Sequence, residues 1–336
     1  MMRVSVVIPV RNAAETVKRS INSVLRQTLP PSQIVVVDDG SDDATSRILS
    51  GYGDRIEVIC QHRRGPSAAR NAGAAAAADA EYLAFLDADD VWLPNMLHVM
   101  VNQLEKVSER VLAFCNFEAV DSRGSALADS MMHAECAHAP AMHELLMRWW
   151  PILPSATVMR RSAFETCGGF HEDFVTPGFE DPYLWILMRE QGEFVYTPER
   201  LVRYYSTPAA ERMKKYATGY RTFSRLVRNR YGAAGEPLIR EVTASLVSFW
   251  GHEGLIALRA GDKIQARQHF ATALHHNCLR MRNYLRWLRT FLPLSAAHAL
   301  SGDFVRGAKL AKVMAPISSE INANYMVQSR LTERPD

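Results

Sequence analysis

Tyr82-Leu83-Ala84-Phe85-Leu86-Asp87-Ala88-Asp89-Asp90 is an apolar run that stops abruptly in three carboxylates. Ile34-Val35-Val36-Val37-Asp38-Asp39-Gly40-Ser41 does the same earlier in the chain. Continuous apolar runs of this length, closed by turn residues, predict strands buried on both faces, as in a parallel sheet. Working outward, Val4–Val10 and Ile56–Ile59 predict two more strands, with helical spacing at Val17, Ile21, Val24 and Leu25 between the first two. An alanine-rich helix is expected from Ser67 to Ala80, where small side chains let it lie close to a sheet. This alternation defines an α/β unit with a mostly parallel central sheet.

In such sheets ligands bind outside the carboxyl ends of the strands, near a switch in strand order. Both acidic clusters fall at strand ends. Gathered carboxylates repel one another unless a cation or hydrogen-bond donors compensate, and an all-oxygen set suits Mg2+ or Mn2+ shared with substrate phosphates. Asp42, Asp43 and Asp90 have a plainer reading as helix caps. Asp39 and Asp89 do not, because they recur at matched strand ends.

Further along, Val111–Phe117 and Ala156–Met159 predict strands, with a polar, irregular segment over Glu118–Ala141 between them. A helix is expected over Asp181–Gln191, then short strands at Phe194–Tyr196 and Leu201–Tyr205. After Pro208 only helical patterns remain, which divides the chain into a catalytic-type domain, 1–206, and an α-helical one, 207–336.

The 336 residues are 48% hydrophobic and 22% charged, which excludes disordered and collagen-like classes. The net charge of +3 conceals a division. Residues 1–200 carry 27 acidic against 18 basic side chains, and 201–336 carry 9 against 21. Cys60, Cys115, Cys136, Cys167 and Cys278 are widely spaced without a Cys-x-x-Cys, which fits free thiols in a reducing compartment. The apolar start is too short for a signal peptide, and no run reaches the 18 or so apolar residues of a membrane span. A cytoplasmic protein is the expectation.

The motifs, taken in order, carry a family. Val6-Val7-Ile8-Pro9-Val10-Arg11-Asn12 precedes Ser23-Val24-Leu25-Arg26-Gln27-Thr28, Val37-Asp38-Asp39-Gly40-Ser41 and Gly65-Pro66-Ser67-Ala68-Ala69-Arg70-Asn71-Ala72-Gly73. The Asp87-x-Asp89 strand end, Arg160-Arg161-Ser162, Gly168-Gly169-Phe170 and Phe179-Glu180-Asp181-Pro182-Tyr183-Leu184-Trp185 follow. One such element is weak evidence. The ordered set, over residues 3–205, resembles the inverting family 2 glycosyltransferases of GT-A fold.

The resemblance implies a nucleotide-diphosphate-sugar donor, with uridine the family's usual base, and a hexosyltransferase-type reaction. Pro9, Val10 and Glu15 would lie beside the nucleoside, and Asp39, with Asp38 next to it, would accept a hydrogen bond from the base. Arg70 would stand near the nucleotide as a guanidinium donor, Asp87 would contact the ribose, and Asp89 would hold the divalent metal. Asp181 would be the general base, although it would also serve as an N-cap. The implied acceptor is a glycan or lipid-linked hydroxyl, as in bacterial surface-polysaccharide or glycolipid assembly. General chemistry agrees. Charge builds on the departing diphosphate, where a fixed cation stabilises it, and the acceptor hydroxyl needs a carboxylate to take its proton.

Two stretches depart from the family pattern. A Tyr-Arg-x-His sequence found in many relatives is replaced by Tyr204-Tyr205-Ser206-Thr207, and an Asn before the Gly-Pro-Ser segment is replaced by Arg63-Arg64. The latter pair reads as a phosphate contact or as a solvated basic turn. A sugar nucleotidyltransferase is the rival enzyme, but it calls for a Gly-rich basic loop where Arg11-Asn12-Ala13-Ala14-Glu15 stands. A non-catalytic nucleotide-sugar-binding module is the other rival, and it would be expected to lack Asp89 or Asp181. His133, Cys136, His138 and His143 match no structural-zinc spacing, and Trp149-Trp150 reads as core before acceptor platform.

The C-terminal third is helical. Gly254–Asn277 resembles one tetratricopeptide-type hairpin, which cannot bury its own face alone. Two segments are amphipathic and arginine-rich. Met213–Tyr231 carries Tyr216, Tyr220, Phe223 and Val227 on one stripe, and Leu279–Leu292 opposes apolar residues to Arg282, Arg286 and Arg289. Such helices either lie on an anionic membrane surface, peripherally at its inner face, or pack inward with solvated arginines. Nothing resembles a nucleic-acid recognition motif.

Overall fold

The computed structural model describes residues 2–127, 152–175, 178–205, 209–259 and 261–276. His133, Cys136, His138, His143, Trp149, Trp150, Ser206, Thr207 and the amphipathic segment 279–292 lie outside the described residues.

The strands are β1 (Val4–Val10), β2 (Gln33–Asp38), β3 (Glu57–Cys60), β4 (Tyr82–Phe85), β5 (Val91–Trp92), β6 (Arg110–Val120), β7 (Thr157–Arg160) and β8 (Glu193–Tyr205). They form one sheet in the order β3-β2-β1-β4-β7-β6-β8-β5. The first four are parallel, as their unbroken apolar runs require when both faces are covered. The crossovers carry helices α1 (Val17–Leu25), α2 (Thr45–Ser50) and α3 (Pro66–Ala76). Because the chain steps outward from β1 to β3 and returns at β4, the order reverses between β1 and β4. That switch point sets the end of β1 beside the end of β4, where a ligand crevice belongs.

Beyond β4 the sheet is mixed. β7 runs antiparallel to β4 and to β6, β5 antiparallel to β8, and β6 parallel to β8. The two short strands expected near the end of this region are one strand, β8, interrupted by a shift in its pairing with β6 between Thr197 and Arg200. Pro198 sits in that interval, where a missing N–H costs the ladder nothing.

Helix α3 lies close on β1. A Cβ at Gly73 would stand 2.3 Å from Val7 Cγ1 and 3.2 Å from Val37 Cγ2. Gly73→Ala is therefore expected to destabilise the fold by about 1–3 kcal/mol, the usual cost of overpacking a dense core. Urea unfolding of the two proteins measures the difference. The polar residues of the Ser23–Thr28 motif have a structural use as well. Gln27 donates to the Leu93 carbonyl (2.7 Å) and accepts the Leu97 amide (3.0 Å), while Ser23 Oγ accepts the Trp92 amide (3.1 Å). These bonds bracket α1 to the chain leaving β4.

Helices α4 (Met96–Glu105), α5 (Arg161–Thr166), α6 (Glu180–Arg189), α7 (Ala209–Tyr231), α8 (Glu236–Arg259) and α9 (Lys263–His276) complete the described α-helices. The chain falls into two compact units, Met1–Ser245 and Leu246–Asp336. β8 ends at Tyr205, next to the division that the sequence suggests, and α7 belongs to the first unit. Its stripe packs inward: Phe223 and Val227 are fully buried. Its arginines face carboxylates, Arg225 on Asp173 (2.6 Å), Arg228 on Glu236 (2.6 Å) and Arg230 on Glu190 (2.7 Å). For this helix the inward-packing reading applies. In the second unit, Gly261 (φ 82°) turns the chain into α9, and Ala257, Ala266 and Phe270 form a small buried cluster. Among the described residues no helix is long and apolar enough to cross a membrane.

Candidate active site

At the end of β4 the turn Asp87–Asp90 is held by α1. Arg19 donates to the Asp89 carbonyl and Ser20 to the Ala88 carbonyl, each at 2.8 Å. Asp87 donates its amide to Ser155 Oγ (3.0 Å). Asp90 is not the helix cap that local sequence suggests. Helix α4 starts six residues later, and Asp90 is 1% exposed, with its Oδ1 accepting the Tyr205 amide at 3.1 Å. It thus ties β4 to the end of β8. Burial first, then the charges of Asp89 and Asp87, push its carboxyl well above the ordinary range. Asp43 does accept at a helix start, from the Thr45 amide (2.9 Å), and also from Ala14 (3.1 Å). Asp42 contributes its amide, to Asn12 Oδ1 (2.9 Å).

Arg70 is the hub. On α3 and 4% exposed, it donates to Asp87 Oδ1 at 2.6 Å and to Glu180 Oε1 at 3.2 Å, with its guanidinium 5.1 Å from the Phe170 ring. Burial pulls its pKa down, but the carboxylates of Asp87 and Glu180 outweigh this and hold it above the usual value. The side chain expected beside a nucleotide is therefore a buried strut between two carboxylates. Asp181 follows Glu180 as the second residue of α6, so it is not the cap; Phe179 is. Loss of solvation, and next the charge of Glu180, push the Asp181 carboxyl well above the ordinary range, against the pull of Arg70.

Asp87, Asp89, Asp90, Glu180 and Asp181 thus converge on a region tied together by Arg70 and Arg19. Asp89 is half-buried at its turn, and a third of the Asp87 side chain is exposed. These hard oxygen donors fit a divalent cation. No ready-made cage of three His, Cys, Asp or Glu side chains exists among the described residues.

At the end of β2, Asp38 and Asp39 are buried and accept hydrogen bonds from the neighbouring turns. Asp38 takes the Ser41 amide (2.9 Å) and the Ser46 hydroxyl (2.7 Å). Asp39 takes Gln61 Nε2 (2.7 Å) and the amides of Arg64 (2.8 Å) and Gly65 (2.9 Å), shaping the turn that opens α3. Val10 is buried and accepts the Asp39 amide through its carbonyl (2.9 Å); Pro9 is half-buried and Glu15 exposed. Arg64 pairs with Glu172 (2.8 Å), and Arg63 is exposed. Asn71 bonds both the carbonyl (2.8 Å) and the amide (2.9 Å) of Phe170, which explains why the Arg70-Asn71 and Gly169-Phe170 motifs belong together.

Sequence reasoning missed Arg19, Ser20, Ser155 and Glu180 as members of this site. Glu180 had a signal, its place beside Asp181. Ser155 had none, because its role depends wholly on contacts across the sheet.

A sheet that is parallel up to β4 and mixed beyond it, with acidic ends on β2 and β4, is the arrangement expected of the GT-A class. Residues 5–168, just under half of the chain, match the family described as glycosyl transferase family 2. The chain is 29% identical over 179 residues to an uncharacterized glycosyltransferase of Rickettsia prowazekii (strain Madrid E), covering 51% of this chain and 56% of that one. The chain thus spans about half the length of this curated relative. It is 33% identical over 121 residues to the UDP-Glc:alpha-D-GlcNAc-diphosphoundecaprenol beta-1,3-glucosyltransferase WfgD of Escherichia coli, covering 35% and 47%. The crystal structure of S. aureus TarS 1-349 is similar in fold, with a TM-score of 0.60, 18% identity and coverage of 91% and 93%. A further structure of that protein, in complex with UDP, is similar at a TM-score of 0.56 and 16% identity, with coverage of 91% and 93%.

Proposed function

We propose that this chain transfers a sugar, with inversion, from a nucleotide-diphosphate sugar to an acceptor hydroxyl. The observation that supports the reading is the Arg70 strut, which joins Asp87 at the acidic end of β4 to Glu180 at the start of α6, the residue next to Asp181. The acceptor oxygen bonds to the anomeric carbon from the face opposite the diphosphate, whose bond to that carbon breaks and takes the electron pair. Asp181 receives the hydroxyl proton. A carboxylate with a raised pKa is a better base for this step than an ordinary aspartate. Asp89, with Asp87, would hold Mg2+ or Mn2+. When bound, the ion supplies positive charge next to the departing diphosphate.

Uridine is the proposed base, supported by the UDP complex of a protein with the same fold. A glycan acceptor carried on a lipid diphosphate is the proposed partner, supported by the name of the WfgD relative. The basic segment Leu279–Leu292 would then meet the membrane peripherally, on the cytoplasmic side. A panel of nucleotide sugars with Mn2+ tests the reading. UDP is expected to bind in isothermal titration calorimetry and one UDP-sugar to be turned over. If no nucleoside diphosphate binds, the donor assignment is wrong.

A further inference from the structure

Phe179 has a φ of 72°. A bulky side chain in the left-handed region is an outlier that persists only where its surroundings over-determine it. This residue is the entry to α6, two positions before Asp181. The surroundings that hold it come from α7. The Phe179 ring centroid lies 5.3 Å from that of Phe223 and 6.0 Å from that of Tyr220. Phe223 is fully buried and also meets Tyr183, on the first turn of α6, at 6.4 Å. The main chains touch too, since a Cβ on Gly219 would stand 1.9 Å from the Gly178 carbonyl oxygen. Gly178 in turn donates its amide to the Glu180 carboxylate, whose other oxygen receives Arg70. Helix α7, like Phe179 and Asp181, lies beyond the residues that match the family, 5–168.

We propose that Phe179 is a positioning residue for Asp181, and that α7, through Tyr220 and Phe223, completes the catalytic apparatus. The two aromatic rings fix the Phe179 side chain, the fixed side chain maintains the left-handed turn, and the turn sets the direction in which α6 presents its first carboxylates. The proposal rests on Asp181 being the base. A displacement of about 1 Å at a reacting group costs on the order of 100-fold in rate, so a small relaxation of this turn has a visible effect.

The test uses the full chain with Phe179→Ala, Phe179→Tyr and Phe179→Gly. Phe179→Ala is expected to lower kcat by about 10- to 100-fold, to leave the Kd for UDP with Mn2+ within about twofold, and to move the acid limb of the kcat–pH profile. Phe179→Tyr keeps the ring and should restore kcat. Phe179→Gly relieves the backbone strain, so it should unfold no earlier than Phe179→Ala yet remain slow, because it lacks the ring. A Phe179→Ala enzyme with wild-type kcat and pH profile overturns the proposal. So does a loss of kcat that Phe179→Tyr fails to restore, or that follows UDP affinity and thermal unfolding downward in parallel. Asp181→Asn, measured alongside, separates the two ideas. If it is active the base assignment fails, and if it is inactive while Phe179→Ala is unimpaired only the positioning role fails.

Discussion

Asp181→Asn is expected to lower kcat by about 100- to 10,000-fold, the range that a positioned general base contributes, with UDP affinity little changed. The substitution keeps the shape and removes the proton acceptor, so the loss should appear in kcat and not in donor binding. The wild-type pH profile carries a second signature. Because the folded Asp181 carboxyl sits well above its ordinary range, mainly through lost solvation and then the Glu180 charge, activity should rise with pH through a value higher than the unperturbed ~3.9. Asp181→Asn should lack that limb. Stability should move the opposite way. A carboxyl whose folded pKa is raised favours the fold below its unfolded pKa, and that contribution disappears as pH rises through the folded value. At neutral pH the charged group is therefore a liability, and the Asn variant should melt at a higher temperature, as measured by calorimetry. A variant that is both inactive and less stable would point to a structural role instead.

Asp89→Ala carries the second large effect. The turn that holds Asp89 is secured by its backbone, through Arg19 and Ser20, so the fold should survive loss of the carboxylate. Transfer is expected to drop by about 100- to 1,000-fold, comparable to removing one group that stabilises developing charge. UDP binding should also lose its dependence on Mn2+. Titration calorimetry of UDP with and without the ion distinguishes this from a general weakening. Asp42→Ala, at an exposed position where the amide makes the contact, should behave as wild type in both assays. Retention of Mn2+-dependent UDP binding by Asp89→Ala would remove this residue from the metal site.

The parallel half of the sheet was legible because each of its strands is a local apolar run, and burial on both faces writes that run directly into the sequence. Its acidic ends were legible for the same reason: Asp38-Asp39 and Asp87-x-Asp89 interrupt apolar patterns where nothing else would. The mixed half was not, because the order β4-β7-β6-β8-β5 depends on pairings far apart in the chain. Asp90 shows the difficulty at a single residue. An aspartate after a strand looks like a cap, and only the Tyr205 amide, 115 residues away, makes it a buried tie. Arg70 likewise reads as a free cation until Glu180, 110 residues on, arrives beside it. Helix α7 was legible as amphipathic, but its periodicity could not say whether membrane or protein would receive the stripe.

The Arg70 strut also constrains how this sequence can change over generations. Neutralising Asp87 or Glu180 alone leaves the guanidinium one carboxylate. Neutralising both would strand a buried cation, at a cost of several kcal/mol. The two positions are therefore epistatic, and the double variant should be worse than the sum of the singles. Drift at one of them restricts what the other can tolerate, although one sits at a strand end and the other at a helix start.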